Sequence, residues 1–326
     1  MLSRRLFLGL FSALLSSGAA PHALVAAVAE QDGWTGPSGS AASAFKDIRR
    51  RAGEAGIPAP RAALAAEITD DYDVILPELV DLISALDRQR GELRTPSSEL
   101  EAALRDASEL LGALTNAERS PFADDEQRAV KRYEYEPLRD GYLALYDNCA
   151  LRPERAALTN WYIATLLKPE NRGRYEEVQK RLQVPWYFVG IIHSLEGSFN
   201  FSAHLHNGDP LRGRTWQVPA GRPKDWNPPT DWASSAADAM ALKKYDNQPD
   251  WSVAQMLYRF EKYNGFGYRS RGIETPYLWS FSNQYSKGKY VKDGVWDSNA
   301  VSRQCGAALL VKELVSRGVI AAPARV

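Results

Sequence analysis

The chain is poor in the residues that usually announce a metal or redox centre. It has 2 cysteines and 4 histidines in 326 residues. Cys149 and Cys305 stand far apart with no CxxC pattern, which argues against a zinc–cysteine site. In an oxidising compartment the two could pair, or they could stand as buried free thiols, and sequence alone gives no separation. Charge of one sign is lacking as well. Lys+Arg and Asp+Glu are each 40, so nothing favours nucleic acid as a partner. After the N-terminus no segment is apolar enough to span a bilayer.

The N-terminus reads as an address. Arg4-Arg5 directly precedes an apolar stretch ending at Leu15, and Ala27-Val28-Ala29 offers a small-x-small cleavage pattern. Residues 1–29 are expected to be a twin-arginine-type signal peptide, which implies export to the periplasm and no membrane span after cleavage. Residues 30–43, small and rich in glycine, read as a flexible tether.

From residue 44 to 150 the composition is helical. Ser97 and Ser98 precede Glu101, and Leu100, Leu104, Leu110, Leu111 and Leu114 follow at helical spacing. Tyr72 to Leu86 gives a second stripe, in which Pro77 marks a first turn or a kink. Arg128 to Tyr146 and Arg155 to Leu167 read likewise. Near Val184 the texture changes. Seven of the nine tryptophans lie between Trp186 and Trp296. Dense proline and glycine from Gly208 to Pro229 predict a short hairpin and a long loop. Helices are expected again at Trp232–Tyr245, Ser252–Tyr263 and Ser298–Arg317, the last capped by Ser298 or Asn299. The fold class expected is α+β and mostly α-helical, with a small β-hairpin element.

The chemistry concentrates around His193-Ser194-Leu195-Glu196-Gly197-Ser198-Phe199-Asn200 and His204-Leu205-His206-Asn207-Gly208-Asp209. Trp186 to Leu195 reads as a buried helix ending at Glu196, with Gly197 free to close it left-handed. A carboxyl at the C-terminal end of an apolar helix is poorly hydrated and faces the negative end of the helix dipole, and both effects favour its protonated form. Such an acid can protonate a glycosidic oxygen. Asp209 lies in a turn-forming sequence and is expected to stay hydrated and ionised. Two carboxyls in contrasting surroundings suit glycoside cleavage, a separation of about 5 Å favouring retention and roughly 6.5–9.5 Å inversion. His204-x-His206 would share one face of a strand, but an orienting role for the histidines suits the pattern better than a metal site. No metal and no cofactor is expected.

The stretch Glu196 to Asn200 resembles the Glu-Ser-x-Phe-Asn signature of lytic transglycosylases and goose-type lysozymes, with Gly197 where the family has serine. Tyr263-Asn264-Gly265 is similar to their Tyr-Asn-Gly segment. The motifs at 193–196, 204–211, 263–269 and 277–283 resemble those of bacterial and phage lysozyme-like murein hydrolases. This resemblance covers Val184 to Leu310. It implies a lysozyme-like domain, taken as 151–326 after an N-terminal helical region at 44–150, and peptidoglycan glycan strands as the partner. It implies cleavage of the β-1,4 bond between N-acetylmuramic acid and N-acetylglucosamine, with Glu196 as general acid and Asp209 as general base. Substrate contacts are expected from His193, Thr215, Gln217, Tyr263, Asn264, Tyr268 and Trp279. Tyr277 and Tyr285 are further stacking candidates, and Arg212, Arg214, Arg269 and Arg271 could meet stem-peptide carboxylates. Three alternatives stay open: a non-catalytic peptidoglycan binder, a lytic transglycosylase, in which the sugar's own 6-hydroxyl attacks, and a chitosanase-like enzyme.

Overall fold

The computed structural model describes residues 41–54, 56, 72–115, 133–216, 219–225, 231–292 and 295–325. The expected signal peptide, nearly all of the tether, Gln217 and the start of the expected 128–146 helix lie outside these residues. Among the described residues no helix is long and apolar enough to cross a membrane.

The chain divides into two compact units at Leu114/Thr115. The first holds α1 (Ala41–Glu54), α2 (Tyr72–Glu92) and α3 (Ser98–Thr115). Their buried faces follow the helical period. Phe45, Ile48 and Ala52 line α1; Ile75, Leu79, Leu82 and Leu86 line α2; Leu100, Leu104, Ala107 and Leu111 line α3. The Ser97 hydroxyl accepts from Leu100 N at 3.2 Å and starts α3. Pro77 lies inside α2, beyond its first turn. Arg51 reaches Asp106 at 2.7 Å, linking α1 to α3.

The second unit contains α4 (Arg139–Asp147), α5 (Ala156–Leu167), α6 (Pro169–Leu182), α7 (Trp186–Gly197), α8 (Trp232–Leu242), α9 (Val253–Asn264), α10 (Pro276–Trp279), β1 (Lys289–Lys292), β2 (Val295–Asp297) and α11 (Ala307–Ser316). Residues 133–150 belong to this unit, which therefore begins earlier than the expected boundary at 151. Polar pairing with α9 holds them there. The Tyr142 hydroxyl donates to Glu261 at 2.6 Å, and the Tyr258 hydroxyl to the Tyr133 carbonyl at 3.1 Å.

Helix α7 is mostly apolar and is buried from Phe188 to Leu195, as suits a helix at the centre of a unit. It packs against α6, α5 and α11. Gly190 permits the close approach, since a Cβ there would sit 2.7 Å from Leu166 Cδ2.

The β element is not where the sequence suggested. β1 and β2 form an antiparallel pair with Lys289 opposite Asp297 and Tyr290 opposite Trp296. The 208–229 stretch has no strand among its described residues. It has one bridge, Ala203 to Pro210, and a tight pairing of Thr215 N with the Arg222 carbonyl at 2.8 Å. Pro210, Pro219 and Pro223 lack the N–H that a ladder needs. Helix α11 begins at Ala307, nine residues after the expected Ser298. Asn299 N is instead drawn into a turn on Asp297 Oδ1 at 2.8 Å, and Gly306 packs under the Leu278 carbonyl. Both cysteines are buried and free.

Candidate active site

Glu196 lies in the last turn of α7. It is partly exposed, although the five residues before it are buried. Its Oε1 accepts from the Tyr277 hydroxyl at 2.9 Å. Tyr277 is held by α10, whose start is fixed by Thr275 Oγ1 accepting from Tyr277 N at 3.3 Å. Burial, and then the charge of Glu196, push the Tyr277 phenol well above its ordinary pKa, so it stays protonated and donates. Gln304 Nε2 donates to the Leu195 carbonyl at 2.7 Å. That contact satisfies one of the carbonyls left open by the end of α7.

The helix does not close at Gly197. Gly197 is the last helical residue, and the left-handed turn falls on Ser198 (φ 45°) and Phe199 (φ 62°). Glycine at 197 answers a different need. A Cβ there would stand 3.1 Å from His193 Cδ2, one turn back on the helix. His193 is itself buried between Phe201 and Trp232, with Nδ1 sharing a hydrogen bond with the Tyr175 hydroxyl at 3.1 Å. Burial lowers its pKa to about 3, so the imidazole is neutral. It supports the turn after Glu196 from inside and cannot reach a substrate, contrary to the expected contact.

Asn264 and Tyr268, both expected at the site, line one small pocket with Pro276, Tyr277, Lys289 and Gln304. Its volume, about 10 Å³, suits a single water. The Tyr268 hydroxyl accepts from Tyr290 N at 3.3 Å, and its ring meets Tyr290 and Trp296 edge-on. The Tyr263 hydroxyl donates to the Leu205 carbonyl at 3.1 Å, so this motif residue ties the loop after α7 to α9.

Asp209 departs from its expected hydration. It is 1% exposed. Its Oδ2 accepts from Trp216 N at 2.8 Å and from Asn207 Nδ2 at 3.0 Å. The carboxylate therefore closes the 207–216 loop on itself. The Thr215 hydroxyl is also consumed internally, donating to the Pro219 carbonyl and accepting from Arg222 N. Trp279 is fully buried, and Tyr285 is buried with its hydroxyl on the Gly288 carbonyl. Neither ring is open to a sugar.

The histidine pair does not form a strand face. His204 Nε2 donates to the Gly213 carbonyl at 2.6 Å, which leaves its Nδ1 to accept from the Ser235 hydroxyl at 2.7 Å. His206 Nε2 meets Asp238 at 2.7 Å, and Arg222 grips the same carboxylate with two nitrogens, at 2.9 and 2.6 Å. Burial lowers the pKa of both imidazoles. Among the described residues no group of three or more His, Cys, Asp or Glu side chains is disposed to hold a metal ion.

The candidate arginines are also engaged. Arg269 pairs with Glu261 at 2.6 Å, Arg271 donates to the Tyr290 hydroxyl at 2.6 Å, and Arg214 to the Lys224 carbonyl at 2.6 Å. Arg212 is exposed. Sequence reasoning missed Gln304, Lys289, Asp238 and Glu261. Gln304 meets a carbonyl 109 residues away, and no local pattern encodes such a contact. Tyr277 carries a signal, the Tyr-Leu-Trp-Ser motif, but the motif suggests a stacking face, whereas the structure makes Tyr277 the partner of Glu196. Compared with protein-family models, curated proteins and solved structures, the chain matches none.

Proposed function

We propose that this protein cleaves peptidoglycan glycan strands at the β-1,4 bond between N-acetylmuramic acid and N-acetylglucosamine, on a lysozyme-like domain, with Glu196 as the general acid. The observation that carries this reading is the setting of Glu196: a partly exposed carboxyl at the end of a buried apolar helix, held at Oε1 by a phenol that cannot easily ionise. A carboxylic acid with one oxygen oriented by a donor is suited to deliver its proton from the other. The motif residues Asn264 and Tyr268 line a water-sized pocket together with Tyr277, so they brace the phenol that orients Glu196.

In this reading Glu196 protonates the leaving oxygen and the bond to the anomeric carbon breaks. The cation-like centre is then captured either by water, whose proton Asp209 takes, or by the substrate's own 6-hydroxyl, whose proton passes to the Glu196 carboxylate. The burial of Asp209 and the two donors on its Oδ2 favour the second course, that of a lytic transglycosylase. Glu196→Gln assayed on purified sacculi tests the acid, with an expected loss of at least about 100-fold in released fragments. Undiminished release would remove Glu196 from the mechanism, and sacculus binding without release by the wild type would mark a non-catalytic binder. Product ends separate the two courses: 1,6-anhydro ends mean transglycosylation, and reducing ends mean hydrolysis. Activity on chitosan alone would reassign the substrate.

A further inference from the structure

A surface that stacks on sugar rings must present an aromatic face to water. The motif aromatics do not. Tyr268, Tyr277, Trp279 and Tyr285 are all buried, and Lys243 lies over the Tyr263 ring at 5.2 Å. Of the large apolar side chains exposed among the described residues, four are Leu93, Leu242, Val295 and Val301; the fifth is Trp216, at 60%. A single exposed leucine or valine is unremarkable in any soluble protein. Trp216 differs in how it is held. Its N–H donates to the Oδ2 of Asp209, a carboxylate 1% exposed. Burying a carboxylate is costly unless its hydrogen bonds are supplied. Here that cost goes into a backbone contact that fixes the residue carrying the exposed indole.

The anchoring continues in the neighbouring described residues. Thr215, the preceding residue, is locked by main-chain and hydroxyl bonds to Arg222, and Arg222 is clamped on Asp238 beside His206. His204 N donates to the Asp209 carbonyl at 2.8 Å and its ring donates to Gly213. The loop is tied to α9 through Leu205, whose carbonyl receives Tyr263, and α9 packs against α10, which carries Tyr277, the partner of Glu196. An indole whose backbone N–H is already held on Asp209 loses little conformational entropy on binding.

Resting on the glycan-cleavage reading, we infer that Trp216 is a stacking platform for a pyranose ring of the glycan strand, and that Asp209 is its positioning residue and not a general base. The C–H face of a neutral N-acetylated sugar is the ligand chemistry. Binding is measured in the Glu196→Gln background, where strands are not cut, using soluble uncrosslinked peptidoglycan strands and an N-acetylglucosamine tetramer. Trp216→Ala is expected to weaken strand binding about tenfold, and Trp216→Phe less than about threefold. In the otherwise intact enzyme Trp216→Ala raises KM with kcat nearly unchanged. Asp209→Asn should do the same, whereas a base would lose kcat and keep affinity. Unchanged strand affinity in Trp216→Ala overturns the platform, and so does equal loss in the Ala and Phe variants, which would mean loop collapse. A kcat collapse at constant affinity in Asp209→Asn overturns the positioning role. If the wild type leaves sacculi intact while Trp216→Ala still weakens strand binding, cleavage falls and the platform stands.

Discussion

The two units of this chain solve the packing problem in opposite ways. In α1–α3 the described core is aliphatic with one phenylalanine, and the charged pairs sit outside it, as in Arg50 with Asp47 and Glu54. In the second unit the core takes in polar groups. Every buried polar or charged residue among the described residues lies between Thr159 and Gln304, including Asp209, Glu261, Arg259, Lys289 and two histidines. A buried polar group stabilises only if all its bonds are made, and it otherwise costs stability. A unit that carries so many has its shape specified by directional contacts. That is what orienting Glu196 and the stretch from His204 to Trp216 requires. The first unit has the composition of a packing element.

The contrast can be broken most forcefully at Glu261. Glu261→Ala leaves Arg269 and the Tyr142 hydroxyl facing a buried gap, and is expected to cost about 3–5 kcal/mol. Denaturant unfolding followed by tryptophan fluorescence measures it, since eight of the nine tryptophans lie from Trp161 onward. A cost below about 1 kcal/mol would mean the pair is not dry.

Acid should separate the units next. His193 has a folded pKa of about 3 against 6.5 in the unfolded chain. Between those values the unfolded state binds the extra proton, so stability is full above pH 6.5 and is lost as the pH falls. From pH 7 to 5 the loss is about 2 kcal/mol, and the lowered pKa values of His204 and His206 act in the same direction. The described part of α1–α3 has no histidine. Hydrogen exchange, corrected for intrinsic rates, should lose protection at 186–197 and keep it at 75–111. Equal loss in both would contradict the contrast.

Tyr277→Phe removes one hydrogen bond from Glu196 without opening a cavity. Sacculus cleavage should fall about fivefold, corresponding to roughly 1 kcal/mol, with the unfolding midpoint nearly unchanged. Unaltered cleavage would show that Glu196 is oriented by other contacts. The smallest effect is expected in the first unit. Arg51→Ala breaks a partly exposed pair with Asp106 and should cost less than about 1 kcal/mol. A larger loss would mean that α1–α3 also depends on directional contacts.

Much of the helical layout was legible because it repeats locally. The apolar stripes of α2, α3 and α9 and the run from Trp186 to Leu195 follow from spacing alone. Glu196 was legible for a related reason: a carboxylate that interrupts an apolar helix is conspicuous in sequence. The β-pair was not. Its strands are four and three residues long, too short for alternation to register, and the proline-rich segment offered a stronger but misleading turn signal. Asp209 was found, but its surroundings were misread. A His-Asn-Gly-Asp-Pro turn looks hydrated in sequence, and only the return of Trp216 N onto the carboxylate buries it.

By itself, then, the sequence determined where most of the helices run, which helix is central and which carboxylate ends it, because those properties depend on residues within a turn or two of each other. Tertiary structure decided that Tyr277 and Gln304 meet the end of α7, that Trp279 belongs to the core, and that Trp216 is the tryptophan left facing water. Those outcomes depend on contacts between residues as many as 109 positions apart. Burial and hydrogen-bond partnership are assigned only when such segments meet, since the same side chain is core or surface according to what packs over it.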